Sequence, residues 1–349
     1  MATSIYEFAQ IPRIDPAAPP RVRTRMVRDA GQAPTVGVIY NPRGHRNLGA
    51  DFDCGVCPHV HIAQPRERGQ LPIALAEFAE KGIDLLVING GDGTVRDVLT
   101  CGQTIFGDDW PTVAVLPKGK TNALTVDLGI PDHWTLQDAI DALDHGGRTW
   151  RRPMTVSSTD DRENGAGVSR VAGFILGAGA FTKAIQAGQS AHKLGAFNSM
   201  VVAVTALWAL LQSVFASRAN PWRKGARMRI GLGAAATPME HSGRGDPEMR
   251  QLLFASTLER LPAGIRPFGA LKNGLKLVAV DQISRRTTAL IPLILMGKVR
   301  GPLRTRGIHQ LAATQFDLSI DQQFILDGEA FPAGDYRIEQ GPELAFVTP

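Results

Sequence analysis

The sequence predicts an α/β plus β fold, in which a first domain of alternating strands and helices precedes a second domain of short strands. Three observations predict it. Apolar runs TVGVIY (35–40), DLLVI (84–88) and TVAVLP (112–117) each run into a polar or glycine-containing turn. Between and after them, QLPIALAEFAEK (70–81), residues 95–102 and residues 134–145 carry apolar side chains at helical spacing. From about residue 150 the alternation stops. Short β-rich runs then recur at 153–158, 171–176, 227–232, 275–280, 315–320 and 323–327, many near glycine turns.

Taken in order, residues 1–33 hold several prolines and no sustained period, and read as a loose N-terminal arm. TVGVIY is the first strand and stops at Asn41-Pro42. A polar loop leads to PHVHIA (58–63), a second strand, and Gly82 punctuates the helix that follows it. The strand 84–88 enters Asn89-Gly90-Gly91-Asp92-Gly93-Thr94 and then a helix at once. TVAVLP leads through Lys118 into GKTNALTVDLGIP, and the 134–145 helix closes an α/β domain at 34–148. Residues 149–335 form the β-rich domain. In a parallel sheet, ligands gather beyond the carboxyl ends of strands. The turns at Asn41, Gly90–Thr94 and Gly119–Asn122 therefore converge on one rim.

A chain of 349 residues is long enough for two cores. With 44% hydrophobic and 20% charged residues it is globular rather than disordered. The net charge of +5 suits phosphates or an anionic membrane surface. Nucleic acid is not expected as a partner: no recognisable binding signature is present, and aromatics for base stacking are 6%. Three cysteines exclude a disulfide framework and point to a reducing compartment. MATSIYEFAQIPRIDP lacks a basic region followed by an apolar one, so no secretory signal is expected. These features predict a cytoplasmic protein attached reversibly to the inner membrane face. The sequence leaves its oligomeric state open, a homo-oligomer included.

The stretch 194–217 has no charge at all. It reads as a buried or pocket-lining helix, with a spanning or an interfacial helix as alternatives, since Asn198, Ser199, Thr205, Gln212 and Ser213 dilute it. Arg218, Arg223, Lys224, Arg227 and Arg229 follow it, and Lys298, Arg300, Arg304 and Arg306 form a second basic run. Each reads first as a solvated face. The alternative is contact with anionic lipid headgroups.

Glycine-rich turns between strand and helix let backbone N–H groups approach phosphate oxygens, aided by the helix dipole. Gly90, Gly91, Gly93 and Thr94 have that placement. Asp92 would repel a bare polyphosphate, so it implies Mg²⁺ or a proton-transfer role; a capping aspartate in a plain turn is the alternative. AVLPKGKT (114–121) ends like a Walker A loop but has Ala114 where that loop needs glycine. Lys118 and Lys120 can still face phosphate. Cys54, Cys57, His59 and His61 are zinc ligand types, but their spacing is too close for a zinc finger, and they read as loop and strand residues. Gly188-Gln-Ser190-Ala-His192 lacks the last glycine of a nucleophile elbow.

Asn41-Pro42, Gly90-Gly91-Asp92-Gly93-Thr94, Pro117-Lys-Gly119-Lys120-Thr121-Asn122-Ala123-Leu124 with Leu128-Gly129, and Asp327-Gly328-Glu329 occur in that order. In this the chain, over roughly 35–349, resembles the diacylglycerol kinase catalytic-domain family of lipid kinases, which includes sphingosine and ceramide kinases. GGDGT alone is shared with NAD kinases; the ordered set is much more specific. The resemblance implies an N-terminal nucleotide-binding domain of the NAD-kinase/diacylglycerol-kinase type and a C-terminal β-sandwich domain that takes the lipid. It further implies ATP in the cleft between them, with Mg²⁺ assisting, and a C-terminal segment (about 336–349) that returns to the first domain.

The resemblance places Asn41, Pro42, Arg43, Gly90, Gly91, Asp92, Gly93, Thr94, Gly119, Lys120, Thr121 and Asn122 around ATP. It makes Asp327, Asp92 and Glu329 the catalytic and Mg²⁺-binding candidates, with Asp327 the first choice for general base and Asp92 the second. Arg43-Gly44-His45, Lys120 and Ala123 depart from the commonest form. Asn-Ala-Leu looks more like the sphingosine and ceramide branch, whereas GFILGAGAF (173–181) lacks the carboxylate that sphingosine kinases carry there. The expected activity is ATP-dependent phosphorylation of a lipid hydroxyl, diacylglycerol first. A ceramide or sphingoid-base kinase, a kinase of another hydroxyl acceptor such as NAD, and a non-catalytic nucleotide- or lipid-binding protein are the alternatives.

Overall fold

The computed structural model describes residues 13–14, 32–47, 58–159, 168–183, 225–299 and 301–349. The first domain is built on a six-stranded sheet in the order Val60–Ala63, Val36–Tyr40, Leu85–Gly90, Thr112–Pro117, Leu344–Thr348, Gly147–Arg151. The first five are parallel and Gly147–Arg151 runs antiparallel at the edge. Strands buried on both faces read as continuous apolar runs, and Leu85, Leu86, Val87 and Ile88 are all fully buried. Helix α1 (Gln70–Glu80) turns Leu71, Ala74, Leu75 and Phe78 into the core, the i, i+3, i+4 stripe that its sequence shows. Helix α2 (Asp92–Phe106) packs beside α1 and buries Val95, Val98 and Leu99. Helices α3 (Ala123–Leu128) and α4 (Leu136–His145) follow. A capping box between Thr135 and Asp138 starts α4.

The second domain is two antiparallel sheets. One has the order Arg13–Ile14, Val168–Gly173, Met154–Ser158, Gly334–Gln340, Gln315–Ile320, Ala226–Leu232, Thr237–Pro238, with Met249–Arg250 also pairing Ala226–Leu232. The other has the order Ile308–Ala313, Leu275–Val280, Leu252–Ser256, Ile175–Gly179, Phe324–Leu326, Glu329–Phe331. Side chains of both sheets share one core: Met154, Val156 and Phe316 from the first meet Leu176, Leu253 and Phe324 from the second. That is a sandwich.

Several expectations shift. The run 171–176 is not one strand: Val168–Gly173 and Ile175–Gly179 lie in different sheets, and the chain changes sheet at Phe174. Helix α2 begins at Asp92 and ends at Phe106, longer than 95–102, because packing overrides the low helix propensity of Gly93 and Gly102. Helix α3 and the strands Gly147–Arg151 and Leu344–Thr348 were not foreseen as elements. The domain limits also move. Residues 334–340 pair within the sandwich, so the return to the first domain starts after Gly341 rather than at 336, and the first domain runs on through Arg151. The uncharged 194–217 stretch, the basic run 218–224, Arg300, Cys54, Cys57 and residues 188–192 lie outside the described residues. Among the described residues no helix is long and apolar enough to cross a membrane.

Candidate active site

Parallel register brings Tyr40 opposite Asn89 and Gly90 opposite Pro117, so three strand ends share one rim. The loop after Tyr40 is fastened there by its own polar side chains. Asn41 Oδ1 accepts from the Arg43 N–H at 3.0 Å, and its Nδ2 donates to Thr94 Oγ1 at 2.8 Å. Buried Asn47 donates to the Asn41 carbonyl at 3.0 Å and to Asn89 Oδ1 at 2.6 Å. The Arg46 N–H donates to the Lys118 carbonyl at 3.2 Å, tying this loop to the one after Thr112–Pro117. Beside Asn41 a recess of about 230 Å³ is lined by Tyr40, Arg43, Arg66, Arg68 and Thr94.

The glycines divide by what surrounds them. A Cβ on Gly91 would lie 2.8 Å from the Gly119 Cα, and one on Gly119 would lie 2.6 Å from the Gly91 Cα. The two loops touch backbone to backbone, and only glycine permits it. A Cβ on Gly90 would strike Thr94 at 2.5 Å. Gly93 differs: its nearest neighbour would be Arg96 Nη2 at 3.8 Å. Gly90, Gly91 and Gly119 therefore answer to packing, and Gly93 leaves bare backbone open in the first turn of α2.

Asn122 closes the second loop on itself. It sits in the left-handed region at φ 51°, accepts from the Gly119 N–H at 2.7 Å and donates back to the Gly119 carbonyl at 3.2 Å. Asp92 reaches across to the start of α3, where its Oδ1 accepts from the Ala123 N–H at 2.7 Å. Burial raises the Asp92 carboxyl above its usual range, against the opposing pull of backbone N–H groups at 122–124.

Asp327 ends the strand Phe324–Leu326 at φ 45°, again left-handed. Its Oδ1 accepts from the Ile175 N–H at 2.9 Å and its Oδ2 from the Phe174 N–H at 3.0 Å, at the point where the chain changes sheet. Burial, and then the charge of Asp92, push its pKa up to about 7. Asp92 and Asp327 thus come together from the two domains, and oxygen donors carrying mutually repelling charge are chemistry that fits a hard divalent cation.

Glu329 does not share that position. Both its oxygens accept from Arg68 Nη2, at 2.9 and 2.8 Å, and Oε2 also accepts from Arg96 Nη2 at 2.7 Å. Arg96 is 3% exposed and also holds Asp97 Oδ1 at 2.8 Å, while Arg68 Nε donates to Asp97 Oδ2 at 3.2 Å. Among the described residues no three His, Cys, Asp or Glu side chains group to hold a metal; Asp92 and Asp327 interact with each other, and Glu329 lies against Arg68 and Arg96.

The structure also assembles residues that sequence reading passed over. Arg68, Arg96 and Asp97 look like solvated helix charges in sequence, yet they join the domains; the i, i+4 spacing of Asp92 and Arg96 was the available signal. Buried Asp127 on α3 accepts from Arg151 Nε at 2.6 Å and from the N–H groups of Glu259 and Arg260 at 2.8 and 2.6 Å, a second junction between the domains.

Residues 35–156 match the family described as diacylglycerol kinase catalytic domain. Over 73 residues the chain is 32% identical to the probable lipid kinase YegS of Shigella flexneri and to that of Escherichia coli O1:K1 / APEC. Those 73 residues are 21% of this chain and 24%, about a quarter, of the relatives' length. The fold matches that of a diacylglycerol kinase from Bacillus anthracis str. Sterne at a TM-score of 0.59 and 18% identity, over 90% of this chain and 97% of that one. The parallel sheet, the touching Gly91 and Gly119 and the Asp92 turn all lie inside the stretch, residues 35–156, that is similar to the diacylglycerol kinase catalytic domain.

Proposed function

We propose that the protein is an ATP-dependent lipid kinase that transfers the γ-phosphate to a lipid hydroxyl, with diacylglycerol, giving phosphatidic acid, as the first acceptor. The observation that carries the reading is Asp327: a half-buried carboxylate with a pKa near 7, held by two backbone N–H groups and facing the Asp92 turn. A general base works best when its pKa lies near the working pH. In this reading Asp327 accepts the hydroxyl proton. Asp92, whose Oδ1 accepts from the Ala123 N–H at 2.7 Å, is the second candidate for base.

The γ-phosphate donor lies along the rim, with the open backbone at Gly93 and the 119–122 loop toward its phosphates and the Asn41 recess beside it. Asp92 would help hold Mg²⁺, which supplies neutralisation of phosphate charge, and Asp327 is left for the proton. Glu329 is assigned to joining the domains instead. A lipid acceptor is favoured over a soluble one by the match of residues 35–156 to the diacylglycerol kinase catalytic domain, and buried aromatic core lies next to Asp327. Phe174, whose N–H holds Asp327, belongs to the same apolar cluster as Phe254 and Phe268, and Phe181 packs on Phe254 with ring centroids 5.3 Å apart.

The test is transfer of labelled γ-phosphate from Mg-ATP to diacylglycerol, monoacylglycerol, ceramide and sphingosine in mixed micelles, with NAD as a soluble acceptor. The expected result is one strongly labelled lipid, lost in Asp327→Asn. Labelled NAD alone would replace the lipid reading. ATP binding with no labelled acceptor would favour a binding protein on a kinase fold.

A further inference from the structure

We propose that the outer face of residues 285–298, with Ile265 beside it, is a docking surface for an anionic lipid bilayer. Two short helices, Arg285–Ala289 and Ile291–Leu295, follow one another through Leu290. Thr287, Thr288 and Ile294 point inward and are buried. The opposite face presents Arg285, Arg286, Pro292, Leu293, Met296 and Lys298 to solvent.

Six large apolar side chains among the described residues are markedly exposed, and three of them gather here: Leu293 at 40%, Met296 at 49% and Ile265 at 38%. The other three, Ile73, Val126 and Trp150, are scattered over the first domain. The Arg266 N–H donates to the Leu295 carbonyl at 2.6 Å, which sets Ile265 beside the turn bearing Met296. Single exposed apolar residues are ordinary, but a cluster of them marks an interaction site.

The charge around the cluster selects the partner. From Gln282 to Gln315 the sequence has six lysines and arginines and no acid. On one side, Arg244, Arg285 and Arg286 line a cleft of about 630 Å³. On the other, Arg266 and Arg304 flank a cleft of about 750 Å³ whose wall includes Ile294, Val299, Leu303 and Ile308. Glu240, paired with Arg304, is the acid at that edge. Apolar tips ringed by arginine match the layering of a bilayer, with acyl chains beneath anionic headgroups. A second copy of the chain fits poorly, because a two-fold interface would press one basic face on another.

The proposal needs neither ATP nor an acceptor, so its failure is separable from that of the kinase reading. The experiment is co-sedimentation of the full chain, without nucleotide, with vesicles of phosphatidylcholine alone or with one-third phosphatidylglycerol. The expected result is binding to the anionic vesicles that weakens with salt. Leu293→Glu with Met296→Glu, or Arg285→Glu with Arg286→Glu, should each lower the partition coefficient by roughly tenfold or more. Ile73→Glu, a change at a more exposed apolar position on the first domain, should not.

Absence of binding, equal binding to both vesicles, or double variants that bind like the parent would overturn the proposal. So would a concentration-dependent dimer abolished by the same variants, which would give the face to a second copy. Leu293→Trp guards against misfolded variants. Its emission should shift to the blue on anionic vesicles and be quenched by brominated acyl chains, and unchanged emission would refute insertion.

Discussion

At the scale of the residue, Asp327 carries the largest consequences. Its pKa stands near 7 in the folded protein against an ordinary value of 3.8. Between those values the folded state keeps a proton that the unfolded chain has released, so stability falls as pH rises through that window. Asp327→Asn removes the charge, and asparagine tolerates the left-handed backbone. That variant should melt higher than the parent at pH 8, by about 2 kcal/mol, with the gap closing near pH 4. Its turnover should fall by roughly 10²–10⁴. In the parent, turnover should rise with pH through about 7, as the carboxylate form appears. Calorimetry and a pH–rate profile check the two halves separately.

The glycines make a second residue-scale prediction. Gly119→Ala sets a methyl 2.6 Å from the Gly91 Cα and should cost about 2 kcal/mol. Gly93→Ala has room and should melt no lower than the parent, yet weaken ATP binding if phosphate approaches there. Equilibrium binding set against melting temperature distinguishes a packing glycine from a ligand glycine. The sequence showed where these glycines are, but not which role each plays, because that depends on a loop lying 28 positions away.

At the scale of the element, legibility followed chemistry more than position. The buried strands and α1 were readable because apolar periodicity writes them directly. Gly147–Arg151 was not, since GRTWR alternates polar side chains at a sheet edge and resembles a loop. Asp327 was legible as a side chain, whereas the Phe174 and Ile175 N–H groups that hold it belong to backbone and leave no mark in sequence. The arginine partners of Glu329 were hidden for a related reason, as they lie more than 230 positions away. Glu329→Gln should therefore reduce turnover without changing the Mg²⁺ concentration that gives half-maximal rate. A displaced Mg²⁺ dependence would return Glu329 to the metal. Helix α3 gives a sharper case: Asp127→Ala strands Arg151 and two N–H groups and should cost about 3–5 kcal/mol, measured by denaturant unfolding.

At the scale of the whole molecule, the two domains meet through charge as well as apolar contact. Helix α2 lies between them: its Thr100 accepts from the Ala172 N–H at 3.0 Å, and its Arg96 holds Glu329. The chain crosses between the domains at 152–153 and again at 341–343. Its final strand, Leu344–Thr348, sits between Thr112–Pro117 and Gly147–Arg151, with Phe346 paired to both Val113 and Thr149. Deleting residues after Glu343 should leave the first domain unable to fold while its sequence through residue 151 is intact, which limited proteolysis of the soluble fraction would reveal.

That interleaved strand also sets an order of events during synthesis. A ribosome releases residues 35–151 long before 344–348, so the nascent first domain waits with an unfilled slot in its sheet. Phe346 and Val347 can reach that slot only after the sandwich segments have emerged. Residues 344–348 thereby close the first domain, and a chain truncated before them would carry the Gly91 and Gly119 turns on an incomplete sheet.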